Sequence, residues 1–268
     1  MKVLWWLVCC LIVTPVSAQH ISFAIVPQQS AIELVKNWGP LLKYLSEKTG
    51  YNVQFRTAKD IPEFEQRLAN GEYDFAYMNP YHYVVFHERA NYQAMLRQGN
   101  KQLKGILVVR KDTPIKSIQE LDGKTIAFPS PAAFAATLVT SAELSSENIH
   151  FDAQFVSSHD SVYLNVAKGF FIAGGGVIRT FNNTPEAVRN QLKVLWTSKG
   201  YTPHAFAYRG DIDPKIVNDI KTALLDLNTT EKGRALLRNL GIPNLVNAKD
   251  SDWDSIRALN INALATYQ

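Results

Sequence analysis

The chain has 268 residues, 46% of them hydrophobic, with a formal net charge of +4 whose cations are interspersed with acids. That balance supports a packed core and gives nucleic-acid binding no basis. Its only two cysteines, Cys9 and Cys10, lie at the extreme N-terminus, so the body of the chain has no disulfide, thiolate nucleophile or cysteine metal ligand.

Lys2, the apolar run Val3 to Val13, Pro15 and then Val16-Ser17-Ala18 before Gln19 follow the order of a cleavable secretory signal. Residues 1–18 are therefore expected to be removed, leaving Gln19 as the mature start. The apolar run falls short of the roughly 20 residues that cross a bilayer as a helix. Cys9 and Cys10 sit inside it, too early to carry a lipid.

From Ile21 onward short apolar strands alternate with helical segments, the pattern of an α/β fold with a largely parallel sheet. Ser22 to Val26 reads as a strand. Ser30 and Glu33 form a capping box for a helix with the apolar stripe Ile32, Val35, Trp38, Leu42 and Leu45, stopped at Gly50. A strand at Val53 to Arg56 precedes a second capping box, Asp60 with Glu63, and a helix ending at Gly71. Tyr73 to Met78 is the third strand, and Asn79-Pro80 opens a helix reaching Ala90, where the first lobe is expected to end.

Ile106 to Arg110 reads as a crossover, after which a second βα series begins at Thr125 to Phe128. It continues with a helix at Phe134 to Leu144, a strand at Gln154 to Val156, a helix from Asp160 to Lys168, and strands around Phe171 to Ile178 and Val194 to Thr197. After Pro203 comes a strand at Ala205 to Tyr208, and everything beyond Asp213 reads as helical. Lys101, Lys104, Arg110 and Lys111 fit either a partner patch or a solvated loop face.

In open α/β sheets ligands bind beyond the carboxyl ends of strands, where helix N-termini offer free N–H groups. The junctions at Gln28 to Ser30, Tyr77 to Asn79, Ser130 and Ser158 to Asp160 each put polar groups there. Such residues also cap helices for structural reasons alone, so the case for a cleft rests on their combination. His159 and Asp160 are neighbours about 100° apart on a helix and cannot easily form a base–orienter pair. With no G-x-S-x-G elbow beside them, the chain reads as a binding protein and not an enzyme. No HExxH or paired-carboxylate cluster frames a metal, and Gly174-Gly175-Gly176 lacks the spacing of a phosphate loop. No cofactor is expected, and the glycine run reads as a turn, bulge or close backbone approach.

Tyr73-Asp74-Phe75-Ala76-Tyr77-Met78-Asn79-Pro80, Gly123-Lys124-Thr125-Ile126-Ala127-Phe128, Ser158-His159-Asp160 and Val194-Leu195-Trp196-Thr197-Ser198 together resemble the phosphate/phosphite/phosphonate-binding components of bacterial ABC importers. These belong to the transferrin-like type II periplasmic binding proteins, and the resemblance covers nearly the whole mature chain. It implies a periplasmic monomer of two α/β lobes joined by a two-strand hinge and closing on a small anion. Lobe 1 would comprise 19–106 and 205–268, and lobe 2 would comprise 107–204. The partner implied is an ABC importer permease, or alternatively a membrane sensor protein. A periplasmic hydrolase is the lesser alternative.

By the same resemblance, Tyr77 donates its hydroxyl to a ligand oxygen and His159 contacts the anion from the second lobe. Two departures stand out. Where the family's phosphonate binders carry Ser-Thr-Ser at a helix N-terminus, this chain has Ala133-Phe134-Ala135. That removes three hydroxyl bonds worth about 0.5–1.5 kcal/mol each unless Ser130 or Thr137 substitutes. Phe134 there reads as a core residue or as a stacking face for a more apolar ligand. Where the family's aminophosphonate binders hold the amine with an acid, this chain has His204. An imidazole cannot pair with an ammonium, so an aminophosphonate is expected to be a poor ligand. His159 and His204 are expected to strengthen anion binding below about pH 6.5.

Overall fold

The computed structural model describes residues 19–265. The expected signal sequence and both cysteines lie outside them.

Strand β1 (His20–Ile25) leads to helix α1 (Ala31–Thr49), then β2 (Asn52–Arg56), α2 (Ile61–Ala69), β3 (Phe75–Met78), α3 (Pro80–Ala90) and β4 (Tyr92–Gln98). Ser30 caps α1 by accepting the Glu33 N–H at 3.3 Å, and Asp60 caps α2 by accepting that of Glu63 at 2.9 Å. The reciprocal halves of the expected capping boxes are not made. The Ser30 N–H instead donates to Asp160 in the other lobe, and the Glu63 carboxylate takes Arg67. The buried stripe of α1 is Leu34, Trp38, Leu41, Leu42 and Leu45, each worth about 1.5–3 kcal/mol of burial. It is rotated from the expected one, and Ile32 and Val35 stand 79% and 50% exposed.

The second half holds β5 (Gly105–Arg110), β6 (Lys124–Phe128), a π-helical turn (Phe134–Leu138) running into α4 (Val139–Ser146), β7 (Phe151–Phe155), α5 (His159–Ala167) and β8 (Ala173–Val177). Then follow α6 (Ile178–Asn182), α7 (Glu186–Arg189) and β9 (Leu192–Thr197). The chain returns through β10 (Ala205–Arg209), α8 (Pro214–Asp226), α9 (Glu231–Asn239), β11 (Leu245–Asn247) and α10 (Asp254–Arg257).

Two sheets result, ordered β11-β4-β10-β3-β1-β2 and β7-β6-β8-β5-β9. Both are mixed rather than largely parallel. In the first, β1, β2 and β3 run parallel while β10 and β11 pair antiparallel. In the second, β5 is antiparallel to both neighbours.

The expected crossover at 106–110 is strand β5, inside the second sheet. Ile106, Leu107, Val108 and Val109 are fully buried, as an unbroken apolar run in a central strand should be. The chain passes between sheets at 99–104 and 198–204. These crossings pair through Leu103 and Tyr201, which exchange two N–H···O bonds of 2.9 Å. Strand β4 was not anticipated past Ala90, and β11 interrupts the expected all-helical tail.

The glycine run forms β8, where it is a close approach. A Cβ on Gly175 would lie 2.1 Å from the Ala136 carbonyl oxygen and 2.5 Å from the Phe128 ring. Bare backbone there lets the π-helical turn rest directly on the sheet. Gly175→Ala is expected to destabilise the protein by about 1–3 kcal/mol through overpacking. Urea denaturation checks this, and an unchanged midpoint would contradict the packing argument.

Candidate functional site

The carboxyl ends of the strands from both sheets converge on one cleft, and side chains from the two lobes already touch across it. The backbone N–H of His159 donates to the Gln28 carbonyl at 3.0 Å. The Ser30 N–H donates to Asp160 Oδ2 at 3.0 Å, and Asn79 Nδ2 donates to the Ala132 carbonyl at 3.3 Å. The start of α5, with its positive partial charge, is thus docked on the Gln28–Ser30 loop. Ser157, in a left-handed conformation at φ 72°, turns the chain into that start.

At the centre, the Tyr77 ring packs on Trp38 with centroids 4.7 Å apart, and His204 stacks on it at 4.9 Å and 16°. His159 meets Thr180 Oγ1 through Nδ1 at 3.2 Å. The Nε2 atoms of His159 and His204 are buried without a partner. Two donor-capable rings from different lobes therefore face a common space lined by Gln28, Asn79, Phe134, His159 and His204. That cavity has a volume of about 10 Å³, room for one water at most, so a larger ligand enters only if the lobes part.

The other expected site residues divide. Ser130 is buried with its hydroxyl unpartnered, whereas the Thr137 hydroxyl is occupied by the Ser130 carbonyl at 2.7 Å. Ala133 and Phe134 line the cleft at the π-helical turn, and Phe134 meets Tyr201 edge-on at 5.2 Å. The aromatic is therefore packed against the hinge and exposes no open stacking face. Ser158 is taken up in capping, accepting the Ser161 N–H at 3.1 Å. Asp160 binds the opposite lobe, and burial raises its carboxyl above the usual range, opposed by the Ser30 N–H.

The sequence reading missed Arg179. It follows β8 and donates to Gln28 Oε1 across the cleft, and its guanidinium carbon lies 5.7 Å from the Tyr77 ring centroid. Gly241, at φ 68°, leaves room for its stem, since a Cβ there would lie 3.2 Å from Arg179 Cγ. Among the described residues Arg179 makes no ion pair. A permanent cation facing only an amide oxygen and a ring face marks a place for an anion. The signal available in the sequence is an arginine two residues beyond the carboxyl end of an apolar, glycine-rich strand.

Arg179 also overturns the expectation that the histidines charge near pH 6.5. Burial, reinforced by the positive charge of Arg179, pushes His159 down to about 3. His204 is held well below the ordinary histidine range by burial first, then by Arg179, His82 and His159. Both rings are neutral at neutral pH. His82 stands apart, buried against Glu65 Oε1 at 2.8 Å.

Comparison with known proteins follows this architecture. The family described as "ABC transporter, phosphonate, periplasmic substrate-binding protein" matches residues 23–253. The phosphate-import protein PhnD of Mycolicibacterium smegmatis is 25% identical over 226 residues, 76% of this chain and 70% of that protein. The phosphonates-binding periplasmic protein of Escherichia coli is 23% identical over 237 residues, 82% of this chain and 70% of that protein. In structure, the binding component of a Pseudomonas aeruginosa ABC phosphonate transporter superposes with a TM-score of 0.84 at 20% identity, covering 92% of this chain and 87% of that one. PhnD1 of Prochlorococcus marinus, solved with methylphosphonate, gives 0.83 at 18% identity, covering 90% and 98%. Those likenesses establish the two-lobed fold, and the match over 23–253 establishes the family: this chain belongs to the phosphonate group of periplasmic substrate-binding proteins that serve ABC transporters.

Proposed function

We propose that this chain captures a small phosphorus oxyanion in the cleft between its lobes and presents it to an ABC importer. The observation that carries the reading is Arg179, a cation at the cleft whose one hydrogen-bond acceptor among the described residues is the neutral amide oxygen of Gln28. An oxyanion entering as the lobes part would replace that amide with a charge-assisted, bidentate-capable contact. His159 Nε2, His204 Nε2 and the Tyr77 hydroxyl then supply neutral donors from three directions. The turn at Phe134, whose first N–H groups lack intrahelical partners, lines the space that holds His159 and His204.

This division of labour accounts for the missing Ser-Thr-Ser hydroxyls. Hydrogen bonds to a charged group contribute about 1.5–3 kcal/mol, against roughly 0.5–1.5 for neutral ones. Hydroxyls donating to the oxyanion would also meet its charge, so the two-pronged guanidinium offsets part of what three of them would give. The lobe–lobe bonds of Gln28, Ser30 and Asn79 hold the closed arrangement and set the cost of opening it. PhnD1 of Prochlorococcus marinus was solved with methylphosphonate, which makes that compound the first probe.

Calorimetric titration of residues 19–268 with methylphosphonate and inorganic phosphate is expected to show binding at micromolar affinity or better, about 8 kcal/mol. Arg179→Met should weaken it by about tenfold or more. Silence toward both anions, or equal affinity in the variant, would contradict the proposal. Gln28→Glu should also weaken binding while raising the melting temperature, because the carboxylate would occupy Arg179 from within.

Neutral histidines fix the pH dependence. Once the ligand's own ionisation is allowed for, affinity should be flat between about pH 6 and 8, since neither imidazole titrates there. A rise toward pH 6 would show that one of them does. In the unfolded chain the same rings protonate near about 6.5, so on acidification the unfolded state binds more protons than the folded one. Stability should then fall from about pH 6.5 toward the folded value near 3. The melting temperature of His159→Asn should decline less steeply with acid than that of the parent, and equal slopes would assign the loss to other groups.

A further inference from the structure

Behind Tyr77 and His204 the cleft continues toward the hinge. A narrow space there is walled by Tyr77, Arg179, His204, Lys101 and Lys104. Lys101 and Lys104 also wall an outer hollow of about 550 Å³. The two spaces share those lysines, Gln102 and Ile178, so they adjoin at the crossing segment, between Arg179 and solvent.

No Asp or Glu lines either space, and among the described residues neither lysine makes an ion pair. A solvated lysine pair on a loop is ordinary. These two are distinguished by sharing one acid-free passage with the Arg179 guanidinium and with the buried, unpartnered Nε2 of His204. The segment carrying them is held by the Leu103–Tyr201 pairing, which keeps them at the hinge as the lobes part.

We infer that the preferred ligand carries a second acidic group, as in a phosphonocarboxylate, with its phosphorus oxyanion at Arg179 and His159 and its carboxylate in the passage facing Lys101 and Lys104. The inference rests on the oxyanion reading above and adds a substrate class to it. A ligand with an ammonium in that position meets three cations and no acid, and is disfavoured by the same geometry.

The test is calorimetric titration of residues 19–268 with two matched pairs: 3-phosphonopropionate against propylphosphonate, and 2-aminoethylphosphonate against ethylphosphonate. The carboxylate member should bind about tenfold tighter than its alkyl partner, and the amine member more weakly than its own. The carboxylate advantage should shrink with added salt, because the outer hollow is open to solvent. In the Lys101→Gln, Lys104→Gln double variant, the affinity ratio of the first pair should fall to about one. If the alkylphosphonates bind and the carboxylate confers no advantage, or if the double variant keeps the advantage, this inference fails and the oxyanion reading stands. If no member of either pair binds, the oxyanion reading fails and takes the inference with it.

Discussion

A half-buried arginine needs a polar contact for its charge, and in this protein that contact is made by the opposite lobe. Arg179 sits at the carboxyl end of β8 in one sheet and reaches the amide of Gln28 at the end of β1 in the other. Its guanidinium lies over Tyr77, which in turn carries His204 on its ring. The tie between lobes follows from that placement, and the same charge adds to burial in holding His159 and His204 neutral. A carboxylate at position 28 would satisfy the cation permanently. A neutral amide satisfies it only provisionally, which suits a protein that must exchange an internal partner for a ligand.

The fold delivers these groups by antiparallel insertion. Strand β10 enters the first sheet between β3 and β4 and sets His204 beside Tyr77. Strand β5 enters the second between β8 and β9 and brings the other crossing segment to the same edge. Both crossings therefore run behind the cleft, and their mutual pairing at Leu103 and Tyr201 makes a hinge of two joined strands rather than two loose linkers. The glycines of β8 complete the arrangement. Without Cβ atoms they allow the Phe134 turn to lie on the sheet, which brings that turn to the cleft wall.

Much of this was legible in the chain. Caps at Ser30, Asp60 and Asn79, glycine stops and apolar runs gave the βα order, and polar strand ends gave the cleft. What escaped was non-local. The pairing direction of β5 and β10 is set by the partner strand and leaves no periodic trace, so a buried central strand passed for a crossover. The face of α1 shifted because Ile32 and Val35 fit a helical stripe as well as Leu34 and Leu41 do, and only the sheet decides between them. Asp160 had the composition of a ligand contact and became a tie between lobes. The histidines had ordinary reference behaviour until burial beside Arg179 removed it. Arg179 lay outside every motif, since its role depends on a residue 151 positions away.

A crystal structure of the protein with methylphosphonate measures the central claim most directly. The account requires the phosphonate oxygens on the Arg179 guanidinium and His159 Nε2, with the Gln28 side chain released from Arg179. A ligand bound elsewhere, or one in the cleft with the Arg179–Gln28 contact intact, would contradict it.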